Sequence, residues 1–238
     1  MTTLLLAIDD TDSLDSDHGT GRVSRNLGAE IAAEHGISFE ASVRQQFLVD
    51  PRVPYTTHNS AACLVFEATA PPVEAIIDDA GEHLVDVMAD VADPGLCVAA
   101  PEDVPEAVVE FGQRATEEVL DKQEAYEVAT DAGEELFLDE YGGTGDGVIG
   151  ALAAVGLTAA GDDGRYIAYG DIREYGEKVT AGRLRSDGIE VRAVGEGDVA
   201  DGATVYTHDW IRPERRGGGP VLPVVADGDG WKPGNLSE

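Results

Sequence analysis

The sequence predicts an α+β protein built from two small α/β sandwich domains. Three observations predict it. The first hundred residues place apolar runs and helical apolar spacings in the order β-α-β-β-α-β. A proline-bracketed break follows at Pro101-Glu102-Asp103-Val104-Pro105. Beyond it comes a second set of helices and short strands divided by glycine turns. The first order is the split-βαβ, ferredoxin-like pattern. At 238 residues and 42% apolar, the chain can bury a core and fits one large domain or two compact ones of roughly 100–150 residues.

Leu4–Ile8 is a short apolar strand that runs into an acidic loop. Val23, Leu27 and Ile31 recur every four residues and predict a helix over about 22–34, stopped by His35-Gly36. Ser42–Val49 and Ala61–Thr69 are strand candidates flanking the turn-rich Asp50–Ser60. A longer helix carries Val73, Ile76, Ile77, Ala80, Leu84, Val87, Met88 and Val91 on one face. Pro71-Pro72 opens it and Asp93-Pro94-Gly95 closes it, before the strand Leu96–Ala99. After the break, the pattern predicts a helix over about 105–129 and a strand near Glu135–Leu138. A glycine-rich loop Gly142–Gly147 and a small-residue helix Val148–Val155 come next. Four strand-like runs complete the fold: Tyr166–Tyr169, Ile189–Val194, Thr204–Tyr206 and Val221–Val225. The polar tail Asp227–Glu238 is expected to fray.

Charge is the strongest global signal. Sixteen basic residues stand against 47 acidic ones, for a net −31, and only Lys122, Lys178 and Lys232 are lysines. The acids are spread along the chain, as expected of a protein adapted to molar salt; an acidic protein that captures a basic partner is the alternative. At about 1 M salt the screening length is only ~3 Å, so local basic groups decide whether a polyanion can dock. No apolar run approaches the roughly 18–20 residues that span a bilayer, which argues against a membrane partner. The start Met1-Thr2-Thr3-Leu4 has no secretory signature, so the expected location is the cytoplasm. Cys63 and Cys97 sit alone in apolar runs and read as buried thiols rather than a zinc or disulfide set.

Four segments carry chemistry. In Asp9-Asp10-Thr11-Asp12-Ser13, three carboxylates crowd into four positions at the carboxyl end of a strand, where α/β folds collect ligands. One or two of them, with phosphate oxygens and water, would suit Mg²⁺; an acidic surface turn is the plain alternative. Tyr141 to Leu152 joins glycines to a helix start, which suits an anion, or else close helix packing. No Lys sits where a Walker A loop needs one. Pro54-Tyr55-Thr56-Thr57-His58-Asn59-Ser60 gathers hydroxyl, imidazole and amide groups fit for phosphate, ribose or a base edge, or forms an ordinary turn. Arg212, Arg215 and Arg216, followed by three glycines, form a basic island that could meet nucleic acid or a triphosphate. Arg22 and Arg25 open the first helix beside the acidic loop.

Several segments, in collinear order, resemble the archaeal agmatinylcytidine synthetase family, which modifies the wobble cytidine of an isoleucine tRNA. They are Ala7-Ile8-Asp9-Asp10-Thr11-Asp12-Ser13, Val53-Pro54-Tyr55-Thr56-Thr57, Asp93-Pro94-Gly95, the helix Gly147–Gly156 and Pro220-Val221-Leu222. The resemblance implies a kinase-like domain over 1–105 and a ferredoxin-like domain over 106–235, with a nucleotide cleft between them. Pattern alone puts the ferredoxin-like order in the first half. The resemblance further implies ATP and Mg²⁺ as cofactors, with Asp9, Asp10 and Asp12 as catalytic metal ligands and Thr20 as the phosphorylated threonine. Thr11, Arg22, Thr57, His58 and Asn59 would contact the nucleotide, and Gly143, Gly145 and Gly147 would offer amides to its phosphates. A tRNA and a small amine such as agmatine are the implied partners.

The sequence departs from the family at three places. Thr56 and His58 stand where the family carries basic residues, and Asp146 sits in the glycine loop. No OB-fold or cysteine-rich zinc ribbon follows, and Cys63 and Cys97 alone cannot make one. The resulting expectation is an ATP- and Mg²⁺-dependent, ligase-like phosphoryl- or nucleotidyl-activating enzyme. The alternatives are a non-catalytic nucleotide-sensing paralogue and, more remotely, an aspartate-nucleophile phosphatase.

Overall fold

A computed structural model describes residues 1–11, 19–53, 58–88, 92–195 and 197–236. Asp12 and Thr57, both expected at the site, lie outside these residues, as does Val91 of the second helix face.

The first hundred residues fold in the expected order: β1 (Thr2–Asp9), α1 (Thr20–His35), β2 (Ser38–Gln46), β3 (Ser60–Ala68), α2 (Val73–Val87) and β4 (Gly95–Ala99). Their strands lie antiparallel in the order β4-β1-β3-β2. β1 therefore has a partner on each side. Its alternate side chains divide between two cores, as the period of two requires. Leu4, Leu6 and Ile8 face Val23, Leu27 and Ile31 of α1, with Ile76, Ala80 and Leu84 of α2. Leu5 and Ala7 face the opposite layer.

That opposite layer comes from beyond Pro105. α3 (Glu106–Ala115), α4 (Lys122–Ala132), β5 (Phe137–Glu140) and α5 (Gly147–Ala160) follow, with β5 extending the sheet beside β4. Val108 and Phe111 of α3 and Val148, Leu152 and Val155 of α5 pack with Cys63 and Cys97 into one apolar cluster, so this core runs unbroken across the proline-bracketed segment. α5 is buried on nearly every side, which explains why its sequence is apolar and small all round rather than striped. The single helix expected over 105–129 is two helices. Thr116 ends the first, and the Asp121 carboxylate caps the second by accepting from the Glu124 amide at 2.9 Å.

The sheet continues into the C-terminal region because β2 also pairs with β6 (Arg165–Tyr169). After β6 come β7 (Lys178–Thr180), α6 (Ala181–Ser186), β8 (Glu190–Ala193), β9 (Thr204–Tyr206), β10 (Glu214–Arg216), β11 (Gly219–Asp227) and β12 (Gly230–Pro233). Among the described residues the whole forms one twelve-stranded mixed sheet, with β8 parallel to β11 and β9 parallel to β12. A third core of Val43, Leu184, Val205, Ile211, Leu222 and Val224 fills this end. The tail is more ordered than its polarity suggests, because Gly230–Pro233 is held between β11 and β9.

Burial pushes the Cys63 thiol up to about 12 and raises Cys97 as well. Neither thiol should react with an aromatic disulfide reagent in the native protein near pH 8, and both should titrate once the chain is denatured. Rapid reaction of the native protein would contradict this core.

Candidate functional site

The carboxyl end of β1 opens into a cavity of about 400 Å³. Asp9 and Asp10 form its floor, and Asp10 leaves the sheet with φ +51, a left-handed geometry in which aspartate is tolerated better than most residues. Such a conformation at a strand end is common at ligand sites. Thr11 is buried, and its hydroxyl donates to the Thr20 hydroxyl at 3.2 Å, which ties the exit of β1 to the first turn of α1.

Two helices point their amino-terminal ends at the same space. Gly19, Thr20 and Gly21 bring the start of α1, and Asp146, Gly147 and Gly150 bring the start of α5. Among the described residues no side chain caps the first turn of α1, and the positive end of a helix suits an anion. The opposite rim is made by His58, Asn59 and Ser60 before and within β3, with Glu118 between α3 and α4 and Lys122 at the start of α4. The Asn59 side-chain amide donates to Leu48 O at 2.7 Å, so this residue also shapes the rim.

Glycine has definite work here. A Cβ on Gly150 would fall 1.8 Å from Asp9 Oδ2, so only glycine lets the Asp9 carboxylate lie over the first turn of α5. A Cβ on Gly147 would fall 2.3 Å from Asp93 O, which marks the close crossing of this turn with the segment entering β4.

The structure thus brings together Asp9, Asp10, Thr20, His58, Asn59 and Gly147 around one cavity. Thr11 stands just behind it, and Arg22 faces a neighbouring cavity instead. Gly143 and Gly145 lie outside the wall. Both have positive φ, and the amides of this loop are directed inward: Thr144 N–H to Asp93 Oδ1, Gly145 N–H to Gly142 O and Gly147 N–H to Asp93 O. Among the described residues no three His, Cys, Asp or Glu side chains gather as a metal cluster. Asp9 and Asp10 offer two carboxylates, which is the protein share that Mg²⁺ takes beside phosphate and water. Sequence reasoning missed Lys122, whose ammonium bonds Glu140 Oε2 at 2.8 Å and is held above its ordinary range by that bond. Its rarity, one of three lysines, was the available signal.

No family model matches the sequence, and no curated protein matches it. Solved structures do. About two thirds of the chain is similar in fold to part of TiaS. A crystal structure of TiaS with an isoleucine tRNA and ATP matches over 66% of this chain and 36% of its own, at 24% identity and a TM-score of 0.53. A tRNA fluorescent labelling enzyme matches at 24% identity and 0.54, covering 65% and 36%. TiaS with the same tRNA, AMPCPP and agmatine matches at 20% identity and 0.52, covering 79% and 44%. The chain therefore spans well under half the length of these proteins. Its described helices include none long and apolar enough to cross a membrane.

The Asp9–Gly150 contact makes a direct test. Gly150→Ala should destabilise the fold by about 1–3 kcal/mol, as overpacking does. Adding Asp9→Ala should recover much of that loss, read as a coupling in urea denaturation. Equal stability of Gly150→Ala and wild type would refute the contact.

Proposed function

We propose that this cavity binds ATP with Mg²⁺, and that the chain is a TiaS-like enzyme which activates an RNA base by phosphoryl or nucleotidyl transfer. The observation that carries the reading is the meeting of Asp9 and Asp10 with the starts of α1 and α5 in one cavity. Carboxylates alone attract a cation, and helix starts alone attract an anion. Side by side they suit a cation–phosphate complex. The TiaS fold supports it, since TiaS is seen with ATP, AMPCPP, agmatine and tRNA.

On this reading the strand order β4-β1-β3-β2, with α1 and α2 on one face, is a ferredoxin-like unit. Residues 1–105 and 106–235 then each furnish part of the nucleotide cleft. Asp9 and Asp10 would hold Mg²⁺, whose charge would offset that on the phosphoryl oxygens, and Asp12, outside the described residues, is the third carboxylate the sequence offers. The starts of α1 and α5 orient the phosphates, His58 and Asn59 with Thr57 meet the nucleotide, and Thr20 is the phosphoryl acceptor. A cytosolic setting of molar salt fits the net charge of −31.

A second reading, a nucleotide-sensing protein without turnover, draws on Lys122: its ammonium is committed to Glu140 rather than offered to a phosphate. Thermal shift at about 1 M KCl, where surface repulsion is screened, should give a higher Tm with ATP plus Mg²⁺ than with either alone. Asp10→Ala should abolish that rise. An unchanged rise in the variant would sink the site assignment, and binding without ATP consumption would select the second reading.

A further inference from the structure

Beside the first cavity lies another, of about 550 Å³, bounded by α1, β2, β6 and the segment entering β10. Seven of the chain's thirteen arginines line it. Elsewhere among the described residues every arginine except Arg215 has a carboxylate partner, from Arg52 with Asp50 to Arg192 with Glu190. In this cavity four of the seven, Arg25, Arg44, Arg173 and Arg212, depart from that pattern.

Arg25 donates to Gly21 O at 2.5 Å, Arg44 to Ser60 Oγ at 2.9 Å and Gln46 Oε1 at 2.8 Å, and Arg173 to Ile167 O at 3.1 Å. All these acceptors are neutral. The guanidinium carbons of Arg173 and Arg212 each stand 3.9 Å from the centre of the Trp210 ring. Among the described residues none of these four arginines has a carboxylate at ion-pair distance. The acids in the wall are Asp163 and Glu214, and the buried Glu214 carboxylate is shared by Arg165 at 3.4 Å and Arg216 at 2.7 Å. Arg44 also stands directly opposite Arg165 across the β2–β6 pair, an arrangement that costs stability in a sheet. Burial first, then mutual repulsion, depresses Arg25, Arg44 and Arg173 below their ordinary values; Asp209 offsets part of this at Arg173.

With 47 acids available, four guanidiniums that lack a carboxylate partner among the described residues, those of Arg25, Arg44, Arg173 and Arg212, nonetheless meet at one place. Their common need is an anion of several charges. Guanidinium forks match phosphate oxygens, and stacking on an indole fixes the plane of each fork before the ligand arrives. We propose that this cavity is a second, magnesium-independent site for an oligophosphate, taking two or more phosphate groups between Trp210 and the guanidiniums of Arg25 on α1 and Arg44 on β2. The groups come either from a free di- or triphosphate or from consecutive phosphates of a polynucleotide backbone. This inference does not rest on the nucleotide reading of the first cavity.

Trp210 and Trp231 are the two tryptophans of the chain, so Trp231→Phe leaves Trp210 to report on the site. In EDTA and about 1 M KCl, where general attraction is screened, tripolyphosphate or a short single-stranded RNA should change its fluorescence saturably. Tighter binding of tripolyphosphate assigns the free source, and tighter binding of RNA assigns the backbone. Arg173→Gln with Arg212→Gln should weaken either by about tenfold or more, which is ~1.4 kcal/mol. Because repulsion is relieved, the same pair should leave Tm unchanged or raised. Asp10→Ala should bind as wild type does, which separates this site from the first. Failure of both probes to bind the parent, or undiminished binding by the arginine pair, overturns the proposal.

Discussion

The site depends on how closely the first turn of α5 approaches β1 and β4. Gly147 crosses the segment entering β4, and Gly150 lies beneath the Asp9 carboxylate, at separations that no larger residue permits. From that crossing follow the burial of α5, the closure of the apolar face made by Leu5, Ala7, Cys63 and Cys97, and the placing of a helix start beside two carboxylates. If α5 were lifted by a single methylene group, Asp9 would lose its seat, and the cavity would lose one of its two helix ends.

Electrostatics divides the molecule in a second way. Most of its surface is acidic, with basic side chains absorbed in local ion pairs that are worth little individually at high salt. The exceptions concentrate where α1, β2 and β6 meet. The two cavities share Arg44 and the start of α1, so a carboxylate-floored space and a guanidinium-lined one adjoin along the same helix end.

Much of the fold was legible in the sequence because its signals are local. Val23, Leu27 and Ile31 mark a helix face, and the apolar runs around Leu6 and Leu64 mark strands that are covered on both sides. Asp9 and Asp10 could be found because three acids close together after an apolar strand demand an explanation. What stayed hidden was long-range or ambiguous. The break between α3 and α4 has neither proline nor glycine and is set by the Asp121 cap. β7, β10 and β12 are too short to show a period and exist through their partners. The glycines at 143 and 145 were expected to offer amides to phosphate, but they lie outside the cavity wall at positive φ, and the Gly145 amide bonds Gly142 O. The arginine cavity left only a partial linear trace: Arg212 and Arg216 stood out in the basic island and Arg25 at the start of α1, but Arg44 and Arg173 join them only through strand pairing across the middle of the sheet.

The pairing of β2 with β6 has a further meaning for how the chain can be divided. Cut at Pro105, the amino-terminal piece would carry β2 as a bare hydrogen-bonding margin, and the apolar floor beneath α5 would face water. Such a fragment is a recipe for sticking to its own kind, however regular its first hundred residues look. The two halves share one sheet and one apolar core, and the chain is stable only with both.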